Sequence, residues 1–166
     1  MSIILSTLIG SFLLEGIASN YISVGTNFFA PLFTIIALVI VYPYFNNNDS
    51  EYLKTAFIYG LIYDLTYTDT IMFYAIIFLS IAFIIKLFNI WFSSHIVNAI
   101  FISLSVIIIY RLVVYLLLVL VGYLNYNYWI LLKSFYSSII LNLVYMIIIY
   151  LITQYFSNKY HIRRTV

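Results

Sequence analysis

Residues Tyr59–Tyr67, YGLIYDLTY, form an apolar helical stretch with one carboxylate, Asp64, near its middle. The flanking sequence is hydrophobic enough to lie in a membrane, where a carboxylate is costly and usually has a partner or a function. Gly60 lies four residues before Asp64, so both residues project from one face of a helix. Because a glycine lets a neighbouring backbone approach closely, Phe57, Gly60 and Asp64 are candidates for a helix-packing or partner-binding face.

Composition identifies the whole chain as an integral membrane protein. Of its 166 residues, 66% are hydrophobic and 7% are charged, whereas roughly a quarter of the residues in a soluble domain are charged. Removing the apolar segments leaves no soluble domain, so we expect residues 1–166 to form a single membrane domain. The net charge of +2 gives no indication of a nucleic-acid partner, and the absence of cysteine excludes disulfides and thiol catalysis.

Six apolar segments are candidates for transmembrane helices, which need about 20 residues each. We predict an all-α membrane bundle with spans at about residues 3–20, 31–44, 51–67, 70–92, 96–122 and 129–156. The second segment is short, so it either starts before Pro31 or is tilted and partly buried. Asp49 or Ser50 is expected to cap the third helix. The tight Thr68-Asp69 connection predicts that the third and fourth helices form an antiparallel hairpin.

The distribution of basic residues predicts the orientation of this bundle. Three basic residues follow the last span, Lys159, Arg163 and Arg164. The loops expected on the opposite side of the membrane contain no Lys or Arg: residues 21–30, 68–69 and 123–128. Because cytoplasmic loops are enriched in Lys and Arg, we expect the N and C termini to be cytoplasmic.

Of the charged residues inside predicted spans, four lie in the outer half of the bundle: Glu15, Asp64, Arg111 and Lys133. Two acids and two bases balance, and pairing is the least costly way to keep them in a membrane. We therefore predict a neutral polar cluster that fixes helix register, with Asn142 as a further residue for interhelical hydrogen bonds. Two alternatives stay open. One is a site for an ion, a proton or a polar ligand; the other is single side chains that reach water, above all Lys133.

The sequence gives no support for catalysis or for a cofactor. No serine or threonine has a histidine or carboxylate at the spacing of an activated nucleophile, and there is no Gly-rich phosphate loop. His95 and His161 are the only histidines and lie on different predicted segments, so a metal site is not expected.

The block Tyr59–Lys86, YGLIYDLTYTDTIMFYAIIFLSIAFIIK, resembles the MreD family of bacterial rod shape-determining membrane proteins. That family has a Gly-x-x-x-Asp helix, a short turn and a long apolar helix, as Gly60, Asp64 and residues 70–86 have here. Weaker matches are FLLEG at Phe12–Gly16, the proline Pro31, the polar Asn142 and the basic tail Lys159–Arg164. Family members usually have a Leu-Gly pair a few residues after the aspartate-containing turn, whereas Ile71-Met72 stands in that region here.

The resemblance implies a compact bundle of six helices, similar to the substrate-binding S-components of energy-coupling-factor vitamin transporters. It implies a non-enzymatic scaffold or regulator of the cell-elongation machinery, which synthesises peptidoglycan and determines cell shape, in the bacterial cell membrane. The expected partners are MreC above all, the MreB filament, RodA and its penicillin-binding transpeptidase, together with membrane lipid. The alternative is a substrate-binding subunit of a vitamin transporter, in which the outer charges would line a polar pocket beneath residues 21–30.

Overall fold

The computed structural model describes residues 2–21, 31–46, 48–68, 72–91, 96–122 and 125–160. These residues form six α-helices: α1 (Ser2–Tyr21), α2 (Phe33–Val41), α3 (Asp49–Tyr67), α4 (Phe73–Trp91), α5 (Ile96–Leu120) and α6 (Tyr128–Lys159). A 3₁₀ helix, Tyr42–Phe45, continues directly from α2. The prediction of an all-helical protein is confirmed for the described part of the chain. Several residues named above lie outside it: residues 22–30, Asp69, Ile71, His95, His161, Arg163 and Arg164.

Three of the described helices are long and apolar enough to cross a membrane: Ile3–Tyr21 in α1, Ile96–Leu120 and Tyr128–Lys159. Two further apolar stretches, Phe33–Phe45 and Phe73–Asn89, are shorter. Each of the six predicted segments forms a helix, and the number of helices that cross the membrane stays a prediction.

The short helix α2 occupies the centre of the bundle. All nine of its residues are buried, and α1, α4, α5 and α6 pack around it. A helix that is apolar on every side is typical of such a central position. At 1.5 Å per residue, α2 extends for about 14 Å, whereas the hydrocarbon core of a membrane is about 30 Å thick. Leu32 and Phe33 are both buried, so the start of α2 lies inside the bundle.

The outer faces of the helices are apolar. Large exposed side chains include Leu13 and Ile17 on α1, Phe101 on α5, and Ile140 and Leu151 on α6. Water-soluble proteins rarely expose apolar surface on this scale, and such faces are suited to contact with lipid.

The helices α3 and α6 are capped by the residue directly before them. Asn48 Oδ1 accepts a hydrogen bond from the amide of Glu51 at 3.4 Å, and Asn127 Oδ1 accepts one from the amide of Trp129 at 3.0 Å. The expectation that Asp49 or Ser50 caps α3 is wrong, because the helix begins at Asp49 and its cap is one residue earlier.

Candidate functional site

The starts of α2 and α4 lie against other helices and have no polar cap of their own. The carbonyls of Leu32 and Met72 accept the first backbone hydrogen bonds of the two helices, from Ile36 and Ile76. Neither Leu nor Met has a side-chain oxygen, yet the first amides of any α-helix lack an acceptor within that helix. An unsatisfied amide in a membrane costs several kcal/mol, so acceptors must come from elsewhere in the chain.

Asp64, on α3, supplies the acceptors for the start of α4. Its side chain is 2% exposed. Oδ1 accepts a hydrogen bond from the amide of Tyr74 at 3.0 Å, and Oδ2 accepts one from the amide of Ala75 at 3.1 Å. The Thr68 hydroxyl makes a longer contact to Oδ1, at 3.4 Å. Both carboxylate oxygens thus face the positive end of the α4 dipole, which favours a negative charge.

Gly60 allows α3 to approach α4 closely enough for these bonds. A Cβ at this position would lie 2.5 Å from Ala75 Cα and 2.8 Å from the carbonyl oxygen of Tyr74. These residues are the same two whose amides bond to Asp64. Phe57, the third residue of the proposed face, is half-buried on the same helix. Because Gly60 and Asp64 are both in contact with α4, the geometry favours packing within the chain over partner binding for this face.

Glu15, on α1, has the equivalent position at the start of α2. Its side chain is 2% exposed. Oε2 accepts hydrogen bonds from the amide and from the hydroxyl of Thr34, each at 2.7 Å. Oε1 accepts a hydrogen bond from the hydroxyl of Tyr63, on α3, at 3.1 Å. A single carboxylate therefore connects α1, α2 and α3.

Asn142 reaches the start of α2 from α6. Its Oδ1 accepts a hydrogen bond from the amide of Leu32 at 2.7 Å, and its Nδ2 donates to the carbonyl of Ser138 at 2.6 Å. The side chain is fully buried. Asn142 thus holds α6 against the centre of the bundle through a backbone amide.

Arg111, on α5, lies near Glu15 without a hydrogen bond between the two in the described contacts. Its Nε donates to the Ser138 hydroxyl at 2.6 Å, and its Cζ lies 5.9 Å from the centre of the Tyr110 ring. Nη2 is buried and has no hydrogen-bond partner among the described residues. Glu15 and Arg111 are close enough for their charged forms to attract each other.

The polar residues selected from the sequence are therefore distributed over several places. Glu15 and Asn142 meet at the start of α2, Asp64 lies at the start of α4, and Arg111 lies between α5 and α6. Lys133 is exposed on α6. Chemically, the two carboxylates act as hydrogen-bond acceptors for helix starts, and each of them accepts bonds through both of its oxygens.

Sequence reasoning missed three residues that take part in these contacts: Thr34, Tyr63 and Ser138. Thr34 is the only polar residue in the α2 sequence FTIIALVIV. A single polar residue in an otherwise apolar helix indicates a position that makes a polar contact. Tyr63 and Ser138 give no comparable signal, since tyrosine occurs 18 times in the chain and serine is common in membrane helices.

Comparison with known proteins identifies one family. The family model described as rod shape-determining protein MreD matches residues 1–160, a range that includes both helix starts and all six helices of the described structure. No curated protein and no solved structure matches the chain.

Proposed function

Since the chain belongs to the MreD family of rod shape-determining membrane proteins, we propose that it is a non-enzymatic scaffold or regulator of the cell-elongation machinery. The observation that carries this proposal is the family match over residues 1–160. We further propose a multi-pass arrangement in the cell membrane with both termini in the cytoplasm. The proposed partners are MreC above all, the MreB filament, RodA and its penicillin-binding transpeptidase.

The use of the buried polar groups supports a scaffold. The acceptor groups of Glu15, Asp64 and Asn142 bond to backbone amides at helix starts, so they hold the bundle together. Among the described residues, no group of three His, Cys, Asp or Glu could hold a metal ion. What the bundle offers to a partner is its apolar outer surface, and helices in membranes associate by close packing with a few polar contacts.

The described contacts do not favour the alternative function, a substrate-binding subunit of a vitamin transporter. In that function the outer charges would line a polar pocket. Both carboxylates instead face helix starts, Glu15 towards Thr34 and Asp64 towards Tyr74 and Ala75.

Complementation of a rod-shaped bacterium tests the proposed function. Cells depleted of their own MreD family member would receive this chain together with the MreC of its own genome. We expect the cells to regain their length-to-width ratio and the two proteins to co-purify from solubilised membranes. The matched control is the same chain with Gly60→Leu, which disrupts the contact between α3 and α4 and should not restore shape.

Round cells that contain normal amounts of folded chain and of MreC would contradict the proposal. Saturable thermal stabilisation of the purified chain by a vitamin would favour the transporter subunit instead.

A further inference from the structure

A groove separates the start of α1 from the end of α6. The two helices meet at mid-length, where the Tyr145 hydroxyl donates a hydrogen bond to Ser11 Oγ. Between the first turns of α1 and the last turns of α6 lies a space of about 570 Å³. Its walls include Ile3, Ser6 and Thr7 on α1 and Ile152, Thr153 and Phe156 on α6. None of these side chains contributes to the caps of α2 and α4.

The position of the groove restricts its occupant to a component of the membrane. Both of its walls belong to helices that are long and apolar enough to cross a bilayer. The longer wall of the groove extends along α6 from Ile149 to Tyr160, which is about 16 Å at 1.5 Å per residue. Half of a hydrocarbon core is about 15 Å thick. The groove therefore has the length of one lipid leaflet and is too short for a helix that crosses the whole membrane.

The walls are suited to a hydrocarbon chain. The Ser6 hydroxyl donates to the carbonyl of Ile3 at 3.1 Å, and the Thr153 hydroxyl donates to the carbonyl of Ile149 at 2.9 Å. These hydroxyls are satisfied within their own helices, so they require no polar group from a ligand. The volume also falls within the range of about 300–1,000 Å³ that is typical of small-molecule sites.

A positive charge lies at the open end of the groove. Lys159, the last residue of α6, is exposed, and its Nζ lies 6.0 Å from the ring centre of Tyr160, which lines the groove. Two more basic residues, Arg163 and Arg164, follow in the sequence. Basic pockets between transmembrane helices bind anionic lipid head groups, and tyrosine is enriched at the level of the head groups.

We propose that this groove binds one acyl chain of an anionic phospholipid whose head group pairs with Lys159. The isoleucine and phenylalanine side chains of the walls hold the acyl chain, and the positive charge selects the head group. This inference does not rest on the proposed function in the cell-elongation machinery.

The proposal is tested on the purified full-length chain in mild detergent. Phosphatidylglycerol and phosphatidylcholine with identical acyl chains are titrated, and the thermal unfolding midpoint is measured. We expect phosphatidylglycerol to raise the midpoint by about 3 °C, which corresponds to about 1 kcal/mol for a chain of this size, and phosphatidylcholine to raise it less. Lys159→Gln should remove the difference between the two lipids.

Two neighbouring positions give a matched pair of variants. Ser6→Phe fills the groove and should abolish stabilisation by both lipids, whereas Leu5→Phe, at a side chain that is 43% exposed and is not part of the groove wall, should leave it unchanged. Ile152→Trp fills the groove from the opposite wall and serves as a second test if Ser6→Phe does not fold.

Equal stabilisation of the Ser6→Phe and Leu5→Phe variants by phosphatidylglycerol would overturn the proposal. An unchanged lipid preference in Lys159→Gln would overturn the assignment of the head group. If the groove-filling variants keep their response to lipid but lose co-purification with MreC, the groove is a docking site for a partner helix and not for a lipid.

Discussion

The starts of α2 and α4 use the same structural device in two different settings. In both, a carboxylate on the preceding helix accepts a hydrogen bond from the amide of the second residue of the next helix. Glu15 bonds to Thr34 in this way, and Asp64 bonds to Tyr74. In contrast, α3 and α6 are each preceded by an asparagine, which caps the helix without help from another helix. The comparison shows that buried helix starts obtain their acceptors from a neighbouring helix.

The two starts differ in where the other partners come from. At α4 both oxygens of Asp64 bond to amides of the helix that directly follows, so one hairpin is sufficient. At α2 the second oxygen of Glu15 bonds to Tyr63 on α3, and Asn142 adds an acceptor from α6. The start of α4 is therefore stabilised by the neighbouring helix α3 alone, whereas the start of α2 is stabilised only when α1, α3 and α6 are packed together.

The glycines beside the two carboxylates show a related contrast. A Cβ at Gly60 would overlap the backbone of α4 at Ala75 Cα, whereas a Cβ at Gly16 would overlap the ring and hydroxyl of Tyr67. A side chain can rotate away from such an overlap. The backbone of α4 cannot move without separating the two helices and breaking the bonds to Asp64.

The largest expected effect is that of Gly60→Ala. We expect it to lower the free energy of unfolding by about 3 kcal/mol, the upper end of the range for overpacked sites, because the overlap also weakens the two hydrogen bonds from α4 to Asp64. Unfolding by SDS in mixed micelles measures the change.

The control for this variant is Gly10→Ala, because an added Cβ at Gly10 has no atom within 4 Å. Alanine is the better helix former by about 1 kcal/mol, so this variant should be as stable as the parent chain or more stable. A Gly60→Ala chain with unchanged stability would contradict the close contact between α3 and α4.

The second-largest expected effect on stability comes from replacing each carboxylate with its amide analogue. Asp64→Asn leaves one oxygen for two backbone amides and turns an NH₂ group towards the second, so we expect a loss of about 2 kcal/mol. Glu15→Gln can keep its oxygen on Thr34, and its NH₂ group can donate to Tyr63, whose hydroxyl can also accept. We therefore expect Glu15→Gln to cost about 1 kcal/mol or less in the same unfolding measurement.

A larger stability loss for Glu15→Gln than for Asp64→Asn would change the explanation of how the start of α2 is stabilised. Such a result would mean that the charge of Glu15 beside Arg111 contributes more than its hydrogen-bond geometry. The Arg111→Met variant separates the contribution of charge from that of hydrogen bonding. When Arg111→Met is already present, Glu15→Gln should no longer cause the part of the stability loss that is due to charge.

The sequence located these polar groups but not their partners. The spacing of Gly60 and Asp64 indicated a shared helix face, and the low overall charge indicated that Asp64 lies in an apolar environment. Charge balance led to the prediction that the acids pair with Arg111 or Lys133. The described bonds of Asp64 include two backbone amides ten and eleven residues later in the chain, and the pairing of the acids with basic residues stays a prediction. Every residue except proline has a backbone amide, so no residue pattern identifies this kind of partner.

The helix α2 shows a second limit of the sequence. All of its residues except Thr34 are apolar, so the pattern shows no inward face and does not distinguish a central buried helix from one that crosses a membrane. Its burial on every side follows from the packing of four other helices around it, and this arrangement depends on contacts far apart in the sequence.

The smallest expected effect has the opposite sign and concerns the residue before α4. Met72 has a φ of 64°, in the left-handed region that costs about 1–2 kcal/mol for a residue with a Cβ. It lies in the Ile71-Met72 pair, where MreD family members usually have Leu-Gly. We expect Met72→Gly to raise the free energy of unfolding by about 1 kcal/mol, measured by the same SDS titration.

The matched control is a glycine substitution of Leu32, the residue directly before α2. Leu32 has a φ of −135° and is 3% exposed, so Leu32→Gly relieves no backbone strain and removes a buried side chain. It should lower the free energy of unfolding by at least about 2 kcal/mol. Opposite signs for Met72→Gly and Leu32→Gly would show that Asp64 holds a strained backbone at α4, whereas Glu15 and Asn142 hold a packed side chain at α2. A loss of stability in Met72→Gly would contradict the left-handed conformation before α4 and the strain assigned to it.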